Sequence, residues 1–338
     1  MIKNSHEFER TVMRSMTPSL RWKGEEVGAW QEKVHAKLWE LLNLDGFEKC
    51  EPNFTVEYEK ELESCKEIRF TFESEAGYTV PCHILLPHGV EHPTPVICLQ
   101  GHSTGMHISL GRPIYERDQL SISGGDRDFA VRAVREGFAA ITMEQRYMGE
   151  ASTNAGRTGA PSCGGDRGDA LMALLLGRCA IGERVWDTMR LIDLLEVQFP
   201  ELNMSELICM GNSGGGTATF YAACAEKRIR TAIVSCAFCT YYDSIAAMPH
   251  CACNYVPGIY KYFDMGDLAG LMAPRNLLVV AGRNDPIFPL PGVEESFKLA
   301  KAVYEAAGVS EHCRMVIGEG EHRFYADPAW AVYREMIK

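Results

Sequence analysis

The chain has 338 residues, a formal charge of −11 at pH 7, 46% hydrophobic residues and 23% charged residues. These proportions are ordinary for a globular protein, and no uninterrupted apolar run reaches membrane-spanning length. The acidic balance argues against nucleic acid and anionic membranes as partners.

The cysteines and the start of the chain bear on its compartment. Several of the 13 cysteines lie within apolar, strand-like runs, where a thiol behaves as a small buried hydrophobe: Cys98, Cys209 and Cys236. The first residues contain no apolar stretch of the kind that directs secretion. We therefore expect a reduced, cytoplasmic protein.

Apolar residues recur at helical spacing from Glu25 to Leu44, and Asp45-Gly46 follow as a helix end. This pattern predicts an amphipathic helix that covers the main body of the protein. We expect residues 1–65 to form a helical cover segment packed on the main domain, which residues 66–338 form.

Eight short apolar runs predict the strands of one sheet. Residues 68–72 and 78–86 flank a turn and predict an opening hairpin. Six further runs alternate with helical or loop stretches, at residues 95–99, 138–143, 207–210, 233–237, 277–281 and 314–317. This alternation is typical of an α/β fold with a mostly parallel, eight-stranded sheet and helices on both faces.

The fifth run leads into a glycine-rich turn that carries Ser213, and a helical stretch follows from Thr217. A serine on a sharp strand-to-helix turn needs very small residues two positions before and after it, and Gly211 and Gly215 meet that need. The Ser213 hydroxyl would stand clear of the sheet, with the Gly214 amide facing developing negative charge. The turn lacks the residues of a dinucleotide-binding or P-loop motif.

A carboxylate and a histidine follow Ser213 in the order that such a hydrolase needs. Asp285 lies in the loop after the seventh predicted strand, and His322 follows the eighth. The carboxyl ends of parallel strands lie at one edge of a sheet, so the three side chains should meet. We predict Ser213 as nucleophile, His322 as general base and Asp285 as the carboxylate that orients the imidazole.

The chain resembles α/β-hydrolases of the dienelactone-hydrolase and acetyl-xylan-esterase-like branch. The resemblance extends from about residue 80 to the end and is carried by five segments: Gly211-Asn212-Ser213-Gly214-Gly215-Gly216, Gly282-Arg283-Asn284-Asp285-Pro286-Ile287-Phe288-Pro289, Gly320-Glu321-His322, Arg184-Val185-Trp186-Asp187-Thr188-Met189-Arg190 and Leu271-Met272-Ala273-Pro274-Arg275. It implies the α/β-hydrolase fold and esterase activity.

An oxyanion hole needs a second donor besides the Gly214 amide. Hydrolases of the type that this chain resembles carry His-Gly-x after the third strand, where this chain has Gln100-Gly101-His102-Ser103. We expect the backbone amide of His102 to be the second donor, with Ser103 as the alternative.

Four further residues are predicted to contact substrate: Gln100, Glu144, Arg146 and Phe288. The alternative for Glu144 and Arg146 is a salt bridge with each other. Residues 102–126, 147–167 and 236–266 are long segments after strands and should wall the cleft, leaving a narrow acyl side.

We expect no metal and no cofactor. Cys251 and Cys253 lack the spacing and the second ligand pair of a zinc site, so we assign them to a wall of the cleft.

The sequence thus predicts a serine carboxylic-ester hydrolase for short-chain esters, with a small-molecule or saccharide ester as its partner. The resemblance implies acetylated sugars as the leading substrate class. The alternatives are a lactone or dienelactone hydrolase, whose members often use cysteine as nucleophile, and a catalytically silent hydrolase fold used for binding. Homo-oligomerisation stays open.

Overall fold

A nine-stranded sheet forms the centre of the computed structural model, which describes residues 4–152 and 165–338. The strands are β1 Thr55–Glu61, β2 Cys65–Glu75, β3 Tyr78–Pro87, β4 Pro95–Leu99, β5 Ala139–Met143, β6 Ile208–Asn212, β7 Thr231–Ser235, β8 Asn276–Gly282 and β9 Cys313–Gly318.

The strand order is β1-β2-β3-β5-β4-β6-β7-β8-β9. Strands β1, β2 and β3 and the β3–β5 pair are antiparallel, and all pairs from β5 to β9 are parallel. The mostly parallel sheet is therefore confirmed, and all eight predicted strands are present. The predicted count was one too low, because it omitted the edge strand β1.

Helices cover both faces of the sheet, as expected. They are α1 Ser5–Ser15, α2 Val27–Leu41, α3 Phe129–Arg135, α4 Gly165–Leu175, α5 Ala180–Gln198, α6 Gly214–Ala225, α7 Met265–Ala269, α8 Leu290–Ala306 and α9 Ala326–Met336. Alternate residues of a strand enter different core clusters: Ile97 packs with residues of α2, α5, α6 and α8, and Val96 packs with residues of α3 and α9. This is the alternation expected of strands buried on both faces.

The N-terminal segment shares the core of the main body. Trp30, Val34 and Leu38 of α2 are buried in the same cluster as α5 and α6. The predicted helix is confirmed with slightly shorter bounds, and a 3-10 turn, Leu44–Gly46, follows it. Because β1 also lies before residue 65 and pairs with β2, the segment contributes a sheet strand as well as helices. The domain boundary at residue 65 stays a prediction.

The described cysteines are all free thiols, and Cys98, Cys209 and Cys236 are buried as expected. None of the helices described is both long enough and apolar enough to cross a membrane.

Candidate active site

Ser213 lies on a strained turn between β6 and α6, with φ 56° and ψ −126°. The turn is fixed on both sides, because Ser213 N–H donates to the Ser235 carbonyl at 2.9 Å and Thr217 N–H donates to the Ser213 carbonyl at 2.8 Å. A positive φ at a residue with a side chain costs on the order of 1–3 kcal/mol and is often found at functional sites.

Two close backbone approaches explain the glycines around this turn. A Cβ at Gly211 would lie 2.4 Å from the Gly215 carbonyl oxygen, and a Cβ at Gly215 would lie 2.0 Å from the Leu99 carbonyl oxygen. Both contacts are far inside van der Waals distance. The geometry of the turn thus explains why both positions require glycine.

Asp285 and His322 are hydrogen-bonded. His322 Nδ1 lies 2.8 Å from Asp285 Oδ2, and Asp285 Oδ1 accepts from the backbone N–H groups of Ile287 and Phe288 at 2.8 and 3.1 Å. Burial raises the pKa of Asp285, but the His322 hydrogen bond and the two amides outweigh it and leave this pKa below its usual value. An ionised Asp285 favours the His322 tautomer that carries its proton on Nδ1, which leaves Nε2 able to accept a proton.

The three predicted catalytic residues follow the carboxyl ends of β6, β8 and β9. Within the described ranges no hydrogen bond joins the Ser213 hydroxyl to His322. Such bonds are often long without substrate and tighten in the Michaelis complex. The catalytic roles stay predictions.

Phe288 packs against His322 with near-parallel rings, 6.0 Å between centroids and 16° between planes. The same ring also meets the His250 ring in an edge-to-face arrangement, with 5.5 Å between centroids. The side chain is buried. The position therefore favours support of the imidazole over the predicted substrate contact.

The segment 100–106, called the oxyanion loop after its predicted role, passes over the turn at Ser213. A Cβ at Gly214 would lie 2.6 Å from His102 Cε1, which places this imidazole directly beside the start of α6. His102 Nε2 lies 3.3 Å from Cys253 Sγ, so Cys253 joins the third predicted wall to this loop. Ser103 Oγ is buried and has no hydrogen-bond partner among the described residues.

Gly214 begins α6, and the first N–H groups of a helix have no acceptor within it. Its amide thus has no acceptor within the helix, and its role as an oxyanion donor stays a prediction. The assignment of the second donor to His102 or Ser103 stays a prediction.

Gln100 does not line the cleft through its side chain, which corrects the predicted substrate contact. The side chain is 2% exposed, and Nε2 donates to Ser109 Oγ and to the Arg127 carbonyl, both at 2.7 Å. It anchors the start of the oxyanion loop. Gln145, which the sequence analysis missed, donates from Nε2 to the Gln100 carbonyl at 2.5 Å.

Arg146 also differs from the prediction, both as a substrate contact and as a partner of Glu144. It is 7% exposed, and its guanidinium pairs with Asp187 through two hydrogen bonds of 2.8 Å and with Glu75 at 2.7 Å. Arg184 donates to the Arg146 carbonyl at 3.1 and 2.9 Å. Arg184 and Asp187 lie in one of the segments that carry the resemblance. The sequence signal that could have revealed their role is the presence of charged residues within an otherwise apolar helix.

Glu144 is 3% exposed and bonds to backbone instead of to Arg146. Its Oε2 accepts from the N–H groups of Met106 and Glu150, each at 3.2 Å. Burial raises the pKa of Glu144 to about 7. It lines a cavity of about 340 Å³ together with Met106 and Glu150, and this lining includes none of the three predicted catalytic residues.

One group of three candidate metal ligands occurs among the described residues: Cys236, Asp285 and His322 lie within 4.8 Å of one another. These residues do not fit a metal well. Asp285 and His322 bind each other, while Cys236 Sγ donates to the Arg323 carbonyl at 3.2 Å and burial raises the pKa of this thiol to about 12. The expectation of a metal-free enzyme stays a prediction.

A cavity of about 810 Å³ lies between α1 and the third predicted wall, with Met13, Tyr241 and Asn254 in its lining. Its lining includes none of the three predicted catalytic residues. We therefore do not assign it to catalysis. Residues 153–164 of the second predicted wall, with Cys163 among them, lie outside the described residues.

The turn geometry predicts a large penalty for Gly215→Ala, because the new methyl group would meet the Leu99 carbonyl oxygen. We expect the free energy of unfolding, measured by urea denaturation, to fall by about 1–3 kcal/mol or more. The control is Gly124→Ala, where a Cβ meets nothing within 4 Å. Its effect should stay within about 0.5 kcal/mol. Equal losses in both variants would contradict the packing described for this turn.

Comparisons with known proteins agree with this geometry. No protein-family model matches the chain. Putative hydrolase YtaP of Bacillus subtilis (strain 168) is 23% identical over 248 residues, which are 72% of this chain and 77% of YtaP.

Two solved structures share most of the architecture. A putative acetyl xylan esterase (BF1801) from Bacteroides fragilis NCTC 9343 has a TM-score of 0.77 and 16% identity, over 97% of this chain and 84% of its own. A glucuronoyl esterase from Solibacter usitatus has a TM-score of 0.68 and 17% identity, over 95% and 96% of the two chains. Together with the sheet order and the turn at Ser213, these likenesses show that the chain has the α/β-hydrolase fold.

Proposed function

We propose that the protein is a serine carboxylic-ester hydrolase that forms an acyl-enzyme on Ser213. One observation carries the proposal: the strained serine turn, with φ 56°, lies at the same sheet edge as the Asp285–His322 pair, whose atoms are 2.8 Å apart. A serine on such a turn and an oriented imidazole are the two parts that nucleophilic ester hydrolysis requires.

In the proposed reaction, His322 Nε2 takes the proton of the Ser213 hydroxyl as its oxygen attacks the ester carbonyl. Asp285 holds the imidazole in place and stabilises the imidazolium that forms. The oxyanion meets the Gly214 amide and an amide of the oxyanion loop, each worth on the order of 3 kcal/mol. His322 then protonates the leaving alcohol, and water, with His322 again as base, cleaves the acyl-enzyme.

Crowding near Gly214 supports a short acyl group. A Cβ at Gly214 would lie 2.6 Å from His102 and 3.2 Å from Met148, and the buried ring of Phe288 lies on His322. Little space is left for a long chain beside the turn. The neighbour BF1801 bears the name of an acetyl xylan esterase, which supports acetyl esters of saccharides as the substrate class.

Ser213→Ala should abolish turnover without unfolding the protein, because it removes only the nucleophilic oxygen. We expect kcat/KM for p-nitrophenyl acetate to fall by a factor on the order of 10⁴ or more, at an unchanged Tm. The control is Ser205→Ala on the protein surface, which should keep full activity. Retention of more than about a hundredth of wild-type turnover by Ser213→Ala would contradict the assignment.

The acyl preference is tested with p-nitrophenyl esters of increasing chain length. Acetyl and propionyl esters should be cleaved far faster than octanoyl esters, since a chain that does not fit loses its attack geometry as well as its binding. The measurement is kcat/KM across the series. An optimum at octanoyl or longer would rule out the short-chain proposal.

A further inference from the structure

Two consecutive residues after β5 hold both ends of the oxyanion loop. Gln145 Nε2 donates to the Gln100 carbonyl at 2.5 Å, where the loop begins. Glu144 Oε2 accepts from the Met106 N–H at 3.2 Å, where the loop ends. The loop that passes over the serine turn is therefore fixed at its two ends by side chains of another loop.

Glu144 also organises its own loop. The oxygen that binds Met106 accepts a second N–H, that of Glu150, at 3.2 Å. The Glu144 N–H donates to the Pro81 carbonyl of β3 at 2.9 Å, so the residue itself is anchored to the sheet. One buried oxygen thus joins the loop after β4 to the loop after β5.

Glycines in both loops make room for this carboxylate. A Cβ at Gly149 would lie 2.0 Å from Glu144 Oε2, and a Cβ at Gly105 would lie 2.9 Å from it. Gly149 also has a φ of +44°, in the left-handed region. Both loops therefore approach Glu144 at a glycine, where no side chain stands between the backbone and the carboxylate.

Glu144 and Gln145 thus form a clamp on the oxyanion loop, and the segment that carries them is itself held by hydrogen bonds. Arg146 lies two residues after Glu144. The Arg146 guanidinium donates to Asp187, and the Arg146 carbonyl accepts from Arg184. Both partners belong to α5. Helix α5 thus fixes the segment from which Glu144 and Gln145 reach the oxyanion loop.

Fold stability alone does not explain a carboxylate here. Burial disfavours the ionised form, and an apolar side chain of similar size would avoid that cost. The carboxylate provides a hydrogen-bond acceptor, which an apolar side chain would not. This acceptor determines where the Met106 and Glu150 amides lie.

We propose that Glu144 is a positioning residue for ester hydrolysis, which fixes the oxyanion loop so that one of its amides points at the oxyanion formed on Ser213. Glu144 does not touch the substrate and acts through the amides of Met106 and Glu150. This inference rests on the proposed function.

The kinetic test uses Glu144→Met, which removes the acceptor at nearly constant volume, and Glu144→Gln, which keeps an oxygen acceptor. We expect Glu144→Met to lower kcat by about 10- to 100-fold with KM changed by less than about 3-fold, since loss of a positioned donor weakens transition-state binding. Glu144→Gln should stay within about 3-fold of wild type. The control Glu116→Ala removes an exposed carboxylate from the segment that follows the oxyanion loop, and should leave kcat unchanged.

A short alkylboronic acid, which forms a tetrahedral adduct with an active-site serine, gives a second readout. Its affinity should fall in Glu144→Met by the same factor as kcat, because both depend on the oxyanion donors. If Glu144 had only a structural role, the loss of boronate affinity would not match the loss of kcat.

Hydrogen exchange tests the clamp without relying on activity. The amides of Met106 and Glu150 should exchange at least about 10-fold faster in Glu144→Met than in wild type, and close to the wild-type rate in Glu144→Gln. If Glu144→Met does not fold, the same measurement on Glu144→Ala replaces it.

The pH dependence of stability gives an independent check of burial. The charged or titratable groups that face Glu144 are Arg69 of β2, Tyr78 and Cys82 of β3, and His107 and Glu150 of the two loops. Because the pKa of Glu144 is 4.5 when unperturbed and about 7 when folded, wild type should lose stability relative to Glu144→Gln as pH rises through this window. Urea unfolding at pH 5 and pH 8 measures the difference. A pH-independent difference would mean that the carboxyl is not buried between the loops.

The outcomes separate this inference from the proposed function. If wild type hydrolyses esters through Ser213 but Glu144→Met keeps wild-type kcat and boronate affinity, the positioning role is wrong and the esterase assignment stands. Unchanged exchange at Met106 would overturn the clamp itself. If Ser213→Ala keeps activity, the proposed function fails, and the role of Glu144 fails with it.

Discussion

The strained backbone of Ser213 is the constraint on which the rest of the site depends. A φ of 56° at a residue with a side chain persists only where its surroundings leave no relaxed alternative. Here β7 holds the Ser213 amide, and the Leu99 carbonyl of β4 lies against Gly215. Contacts with the central strands β4 and β7 thus hold Ser213 in its strained conformation, next to the start of α6.

A second, buried polar network holds the loop that passes over this turn. Arg184 and Asp187 of α5 hold Arg146, and the neighbouring residues Glu144 and Gln145 hold the oxyanion loop. Removing one member of a buried charge pair leaves the other unpaired, which costs several kcal/mol. Polar groups buried at this depth therefore connect a helix on one face of the sheet to the loop that the proposed chemistry needs.

Much of the fold could be predicted because its strands are buried on both faces and read as continuous apolar runs. Strand β1 was missed for the opposite reason: its seven residues are all exposed, four of them are charged, and only Val56 and Tyr58 alternate with polar residues. Edge strands often carry charges that prevent pairing with other chains.

The Asp285–His322 pair could be predicted because strand order alone places both residues at one sheet edge. The pocket residues could not, because position after a strand does not determine where a side chain points. Gln100, Arg146 and Phe288 follow strands as predicted, yet the first two turn inward to bind other elements and Phe288 packs on His322. Their hydrogen-bond and packing partners are distant in sequence, so no local pattern identifies them.

The central claim is that Ser213 is an activated nucleophile. Its most direct test is to treat the protein with a fluorophosphonate probe, which reacts covalently with activated serines, and to map the adduct by mass spectrometry. The account predicts one adduct per chain on Ser213, and its loss in Asp285→Asn and His322→Ala. No adduct on the folded protein, or an adduct on a different serine, would contradict it.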